Sequence, residues 1–131
     1  MLLHIAKYTG FLLVVAVLSI GLSRPAPAQE PGQRLYVVTH VDVFGPSPTT
    51  AAEAAKMLQQ FAADSRNDPG AVRIEVLREP TRLNHFTLVE IWQSRQDFET
   101  HLATTHTRAF REKIQPMLGS PFDERLHTLL P

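Results

Sequence analysis

The chain contains no cysteine, which excludes disulfide scaffolds, thiolate metal centres, thiol nucleophiles and a lipidated N-terminal cysteine. It also lacks an excess of either charge: 13 Lys and Arg stand against 13 Asp and Glu in 131 residues. With no basic stripe to neutralise phosphates, no nucleic-acid partner is expected. Glycine is sparse, at six residues, and none of it forms a phosphate-cradling loop. There is no G-x-S-x-G, and no pair of carboxylates at a definite spacing. Long hydrophobic runs are missing too. Phe11–Ile20 is shorter than the ~20 apolar residues that span a bilayer.

What this run resembles is a leader. Lys7 precedes it and Ala26-Pro27-Ala28 follows it, the basic, apolar and small-residue order read by signal peptidase. The expected division is a signal peptide over 1–28, a disordered linker over 29–33, and one domain over 34–131. The alternative is an uncleaved N-terminal anchor. Cleavage leaves 103 residues with 11 basic and 13 acidic side chains, enough for one core and not two. The domain is then exported, to a periplasm or beyond the cell, with no stable membrane insertion.

Within that domain Leu35–Phe44 is rich in Val, Tyr and Thr and reads as a strand, ended by Gly45-Pro46-Ser47-Pro48. Thr50-Ala51-Ala52-Glu53 has the form of a capping box. Ala54, Met57, Leu58, Phe61 and Ala62 follow at helical spacing, up to about Asp64–Arg66 and the turn Asn67-Asp68-Pro69-Gly70. Ala71–Arg78 and His85–Trp92 read as a hairpin. Its six-residue connection is long enough for some residues to extend the strands. Ser94 with Asp97 is a second cap. Phe98, Leu102, Phe110, Ile114 and Met117 carry one apolar face through a helical region to about Pro116. Glu124–Leu130 is the last strand candidate. The order β-α-β-β-α-β is the split βαβ pattern of a ferredoxin-like α+β domain.

The strands are greasy on both parities. Leu35, Val37, Val41 and Val43 alternate with Tyr36, Val38 and Phe44, and Phe86, Leu88 and Trp92 alternate with Val89 and Ile91. Two helices cover one face of a four-stranded sheet. The other face requires a cover, and a second copy of the same sheet in an isologous homodimer supplies it.

Polar residues set in this pattern are the informative ones. Glu90 shares a strand face with Phe86, Leu88 and Trp92. A buried carboxylate needs a partner or a proton, and Arg73, His101 and His106 are candidates. It reads either as a structural ion pair or as a raised-pKa carboxyl facing a pocket. His101 and His106 border the helical stripe. Five residues on a continuous helix set their rings about 140° apart, so no metal site is expected unless the helix breaks at Thr104-Thr105. Trp92 reads as a core anchor or as a flat wall for an aromatic ligand. Asn84, a turn former or an active-site amide, and His85 stand at the strand entrance.

These residues, taken in order, carry a resemblance. Asp68-Pro69-Gly70, then Asn84-His85-Phe86-x-Leu88-x-Glu90-x-Trp92-x-Ser94, His101, His106, Phe110-Arg111 and Pro116, with Gly119–Leu126 behind them, resemble the antibiotic biosynthesis monooxygenase domain family over roughly Arg34–Leu130. The resemblance implies a dimeric ferredoxin-like α/β barrel and cofactor-independent oxygenation of a quinol, phenolic or anthrone-like substrate by dioxygen. It implies His101 or His106 as base or proton relay, Asn84 and His85 as holders of an oxygen anion, Glu90 as the group that orients a histidine, and Trp92, with Phe86, Leu88 and Phe110, as the aromatic-binding surface. A chamber joining Glu90, Trp92 and one of the histidines is expected under the helices. The haem-degrading branch uses a first-strand asparagine and a histidine late in the second helical region. Leu35–Phe44 and Phe110–Pro116 have neither, so no cofactor is expected. The alternative is a non-catalytic dimer of the same fold that binds a small ligand or serves in a stress response. N-terminal sequencing of the exported protein should begin at Gln29; a mature chain beginning at Met1 contradicts the leader.

Overall fold

The computed structural model describes residues 32–45 and 48–131; the expected signal peptide, and the linker as far as residue 31, lie outside them. The elements are β1 (Leu35–Asp42), α1 (Pro48–Ser65), β2 (Ala71–Arg78), β3 (His85–Trp92), α2 (Arg95–Leu102), α3 (Thr105–Ile114), a single 3₁₀ turn (Gln115–Met117) and β4 (Asp123–His127). The sheet is antiparallel with order β2-β3-β1-β4. This is the ferredoxin-like α+β arrangement read from the sequence.

The first strand ends at Asp42 rather than Phe44, and the last runs Asp123–His127 rather than Glu124–Leu130; three other boundaries moved for local reasons. Helix α1 starts at Pro48, ahead of the Thr50 capping box, because proline's fixed φ suits a first helical turn. The residues of the β2–β3 connection do not extend the strands; only the Glu79 amide continues the ladder, donating to the His85 carbonyl at 3.0 Å. The second helical region is two helices. Thr104 adopts extended backbone, φ −66° and ψ 154°, and its hydroxyl accepts from the Thr107 amide, so α3 has its own N-cap.

Register decides which residues meet. Across β1 and β3, Leu35 faces Trp92, Val37 faces Glu90, Thr39 faces Leu88 and Val41 faces Phe86. On the outer strands Ile74 faces Glu90 and Glu124 faces Thr39. This parity points toward the helices and forms the core with Leu58, Ala62, Phe98 and Ile114. The opposite parity includes Tyr36, Val38, Val89 and Ile91, all half-buried, with none of the described helices over them.

The turn after α1 is tightly pinned. The Asp68 amide donates to the Ser65 carbonyl, the Ala71 amide to the Asp68 carbonyl, and the Gln93 amide to the Gly70 carbonyl at 2.8 Å. Gly70 sits at φ +80°, and a Cβ there would collide with the Asp97 side chain. Glycine is required here by backbone conformation and by space. The consequence is that Asp68 is held at the end of β3 and under α2.

Candidate active site

Three elements converge on one carboxylate oxygen. His101, buried in α2, has Nδ1 at 2.7 Å from Asp68 Oδ2. His106, in the first turn of α3, has Nε2 at 3.0 Å from the same oxygen. The 140° separation expected on a continuous helix is removed by the break at Ala103-Thr104, and the ring centroids lie 5.7 Å apart. Asp68 Oδ2, His101 Nδ1 and His106 Nε2 all lie within 4.8 Å of one another. His101 Nδ1 hydrogen-bonds Asp68, while His106 Nε2 stands at ion-pair distance from the same oxygen.

Glu90 lies on the other side of His101. Trp92 Nε1 donates to Glu90 Oε2 at 2.9 Å, and His101 Nε2 stands 3.9 Å from that oxygen, longer than a direct hydrogen bond. Arg73, a candidate partner in the sequence, is on the outer face and pairs with Glu75 at 2.8 Å. Burial pushes the Glu90 carboxyl up to about 7, with nearby Glu124 adding to the rise while the Trp92 N–H and Arg111 oppose it. Burial likewise lowers the His101 pKa; Asp68 opposes this, and His106 and Arg111 reinforce it. Both groups are thereby moved toward neutral forms near pH 7.

Between these groups and β1 lies a small, partly open cavity of about 10 Å³, lined by Thr39, Leu88, Glu90, His101, Phe110 and Phe122, among others. That is room for about one water. Thr39 Oγ1 is buried in this wall and, among the described residues, has no hydrogen-bond partner. Arg111 and Glu124 also line the cavity. They join at 2.6 Å, with the Arg111 guanidinium 5.3 Å from the Phe122 ring centre.

The structure therefore groups Glu90, Trp92, His101 and His106, with Leu88 and Phe110 nearby, and separates the rest. Trp92 is fully buried, packed on His101 with centroids 4.6 Å apart. It forms no wall of the cavity, and neither does His106, which borders an open groove between α1 and α3. The expected chamber thus joins Glu90 and His101 only. Phe86 is buried in the core at the other end of β3. Asn84 is a clip: its Nδ2 donates to the Val43 carbonyl at 3.0 Å, and the Val43 amide donates back to the Asn84 carbonyl. His85 lies on the outer face against Asp42, at 2.5 Å. Five or six residues of strand, roughly 17–20 Å, separate Asn84 and His85 from Glu90, so they hold no oxygen anion beside the histidines.

Sequence reasoning missed Asp68, Thr39 and the Arg111–Glu124 pair. Thr39 was findable, as a hydroxyl between Val37 and Val41 on the inward parity. Asp68 was hidden in a turn whose chemistry accounts for an aspartate without further function.

Comparison with known proteins places this geometry. A sequence model of the antibiotic biosynthesis monooxygenase family matches residues 36–113. The chain belongs to that family. A Synechocystis protein of uncharacterized role is 26% identical over 82 residues, 63% of this chain and 56% of its own length, so the chain spans little more than half of that relative. Solved structures share the family fold. A protein from Nitrosomonas europaea described under the same family name has a TM-score of 0.69 at 18% identity, covering 76% of this chain and 92% of its own. A variant of SnoaB, a cofactor-independent oxygenase from Streptomyces nogalater, has a TM-score of 0.65 at 21% identity, covering 76% and 95%.

The Glu90 carboxyl gives this family member a stability signature. Its folded pKa of about 7 lies above the ordinary value of 4.5, so its stabilising contribution is complete below about pH 4.5 and is lost as pH rises to about 7. Glu90→Gln keeps an acceptor for Trp92 and cannot ionise. In urea unfolding the variant should gain on the wild type by on the order of 3 kcal/mol between those pH values. A difference independent of pH contradicts the assignment.

Proposed function

We propose that this chain is an exported, homodimeric, cofactor-independent monooxygenase that oxidises a quinol, phenolic or anthrone-like aromatic with dioxygen. One observation carries the reading: a neutral-leaning carboxyl and an imidazole share a small, mostly apolar cavity, an environment that favours proton removal from a weakly acidic aromatic. Family membership and the fold shared with a cofactor-independent oxygenase support it. Once deprotonated, such an aromatic donates an electron to dioxygen by itself. For an anthrone-type substrate a CH₂ becomes C=O, and the second oxygen atom leaves as water. The protein supplies the base, exclusion of water and orientation.

An aromatic ring requires far more room than the cavity gives. Entry on this proposal displaces Phe122 and opens the Arg111–Glu124 pair, which together form the wall on the β4 side. The small volume is also the observation that favours the second reading, a non-catalytic dimer that binds a smaller ligand. The uncovered stripe of Tyr36, Val38, Val89 and Ile91 supports association through the outer sheet face.

Oxygen uptake with a panel of hydroquinones and anthrones, without added cofactor, should be measurable for the wild type and reduced about 10²-fold or more by His101→Ala. No uptake with the whole panel, or equal uptake by the variant, contradicts the proposal. Light scattering at micromolar concentration should return twice the monomer mass, and a monomeric mass contradicts the sheet-to-sheet dimer.

A further inference from the structure

We propose that Thr39, His101 and Asp68 form a subsite for one phenolic hydroxyl, in which Thr39 Oγ1 hydrogen-bonds the substrate oxygen, His101 Nε2 takes its proton, and Asp68 is the positioning residue that fixes His101 for that task. The subsite deepens the oxygenase reading above and rests on it. It selects His101 over His106 as the base, and it gives a role to a buried hydroxyl that has no hydrogen-bond partner among the described residues.

Two independent observations carry it. The first is the unpartnered Thr39 hydroxyl, 3% exposed and set in the cavity wall with Glu90 and His101. A buried hydroxyl without a partner costs stability, and a ligand oxygen entering the cavity satisfies it. The second is the asymmetry of the two imidazoles. His101 spends Nδ1 on Asp68 at 2.7 Å, and a carboxylate oxygen accepts only an N–H. The proton therefore resides on Nδ1, leaving a lone pair on Nε2, which stands 3.9 Å from Glu90 Oε2 in a ring that lines the same cavity. The Thr107 hydroxyl lies 3.4 Å from both ring nitrogens, a long contact on Nε2 that a substrate oxygen would displace. His106 Nε2 stands 3.0 Å from the same Asp68 oxygen and 3.4 Å from the Thr104 hydroxyl, and its ring borders the outer groove.

The proton step closes without a further reagent. The substrate O–H bond breaks, its electron pair stays on oxygen as a phenolate, and the proton bonds to His101 Nε2. The resulting imidazolium lies against the Asp68 carboxylate through its Nδ1–H. The other charged or titratable groups facing this pair are Glu90 from β3, Glu124 from β4, and His106 and Arg111 from α3.

The test has arms with and without turnover. In the intact protein, ¹⁵N NMR of the histidine rings at pH 8 should show His101 protonated on Nδ1, and Asp68→Asn should lower its pKa by a unit or more. Under nitrogen, calorimetry with 1-naphthol should show binding by the wild type that Thr39→Val weakens at least tenfold, while the same substitution raises the thermal midpoint by removing the unpaired hydroxyl. An Nε2–H tautomer in the wild type, no naphthol binding, equal binding by Thr39→Val, or a lowered midpoint each overturns the subsite. If these arms succeed and oxygen uptake is absent, the oxygenase reading fails alone; if oxygen uptake persists while they fail, the subsite fails alone.

Discussion

The constraint on which this structure depends is the placement of one carboxyl, Glu90, in the middle of an apolar sheet face. Ionised, it would face Val37 and Ile74 across the neighbouring strands, with one hydrogen bond from Trp92 and, among the described residues, no Lys or Arg in contact. Water would solvate it far better. The fold tolerates it by letting it hold a proton near neutral pH, and by surrounding it with His101, Trp92 and the helices. Its neighbours along the same strand face, Leu88 and Phe86, are apolar and buried.

That cost is linked to the break between α2 and α3. A continuous helix would carry His106 away from Asp68. The Thr104 cap restarts the helix and returns it to the same carboxylate that holds His101. The Gly70 turn, unable to accept a side chain, fixes Asp68 against α2. Backbone features that look like simple punctuation thus determine which ring nitrogen of each histidine meets Asp68. Order flows from a turn, through a carboxylate, to a ring.

Much of the architecture was legible because hydrophobic period and caps agree with each other. The strand limits of β2 and β3 follow from alternation and β-branched residues, and the two-sided character of β1 and β3 from parity alone. Glu90 and His101 stood out as polar residues in apolar frames. Other features depend on contacts distant in sequence. Asp68 is 33 residues from His101, and its turn chemistry conceals its second role. Asn84 looked available for catalysis because its bond to the Val43 carbonyl, 41 residues away, leaves no trace in local pattern. Cavity volume is set by how Phe110, Phe122 and Arg111 pack, which periodicity does not encode.

The most direct test of a reactive chamber beneath the helices is a crystal structure of the protein with a hydroquinone bound under nitrogen. The account predicts one ring hydroxyl within hydrogen-bond distance of His101 Nε2, with Phe122 displaced from its present position. A ring seated in the groove beside His106 or on the outer sheet face, with the Glu90–His101 cavity unchanged, would contradict it.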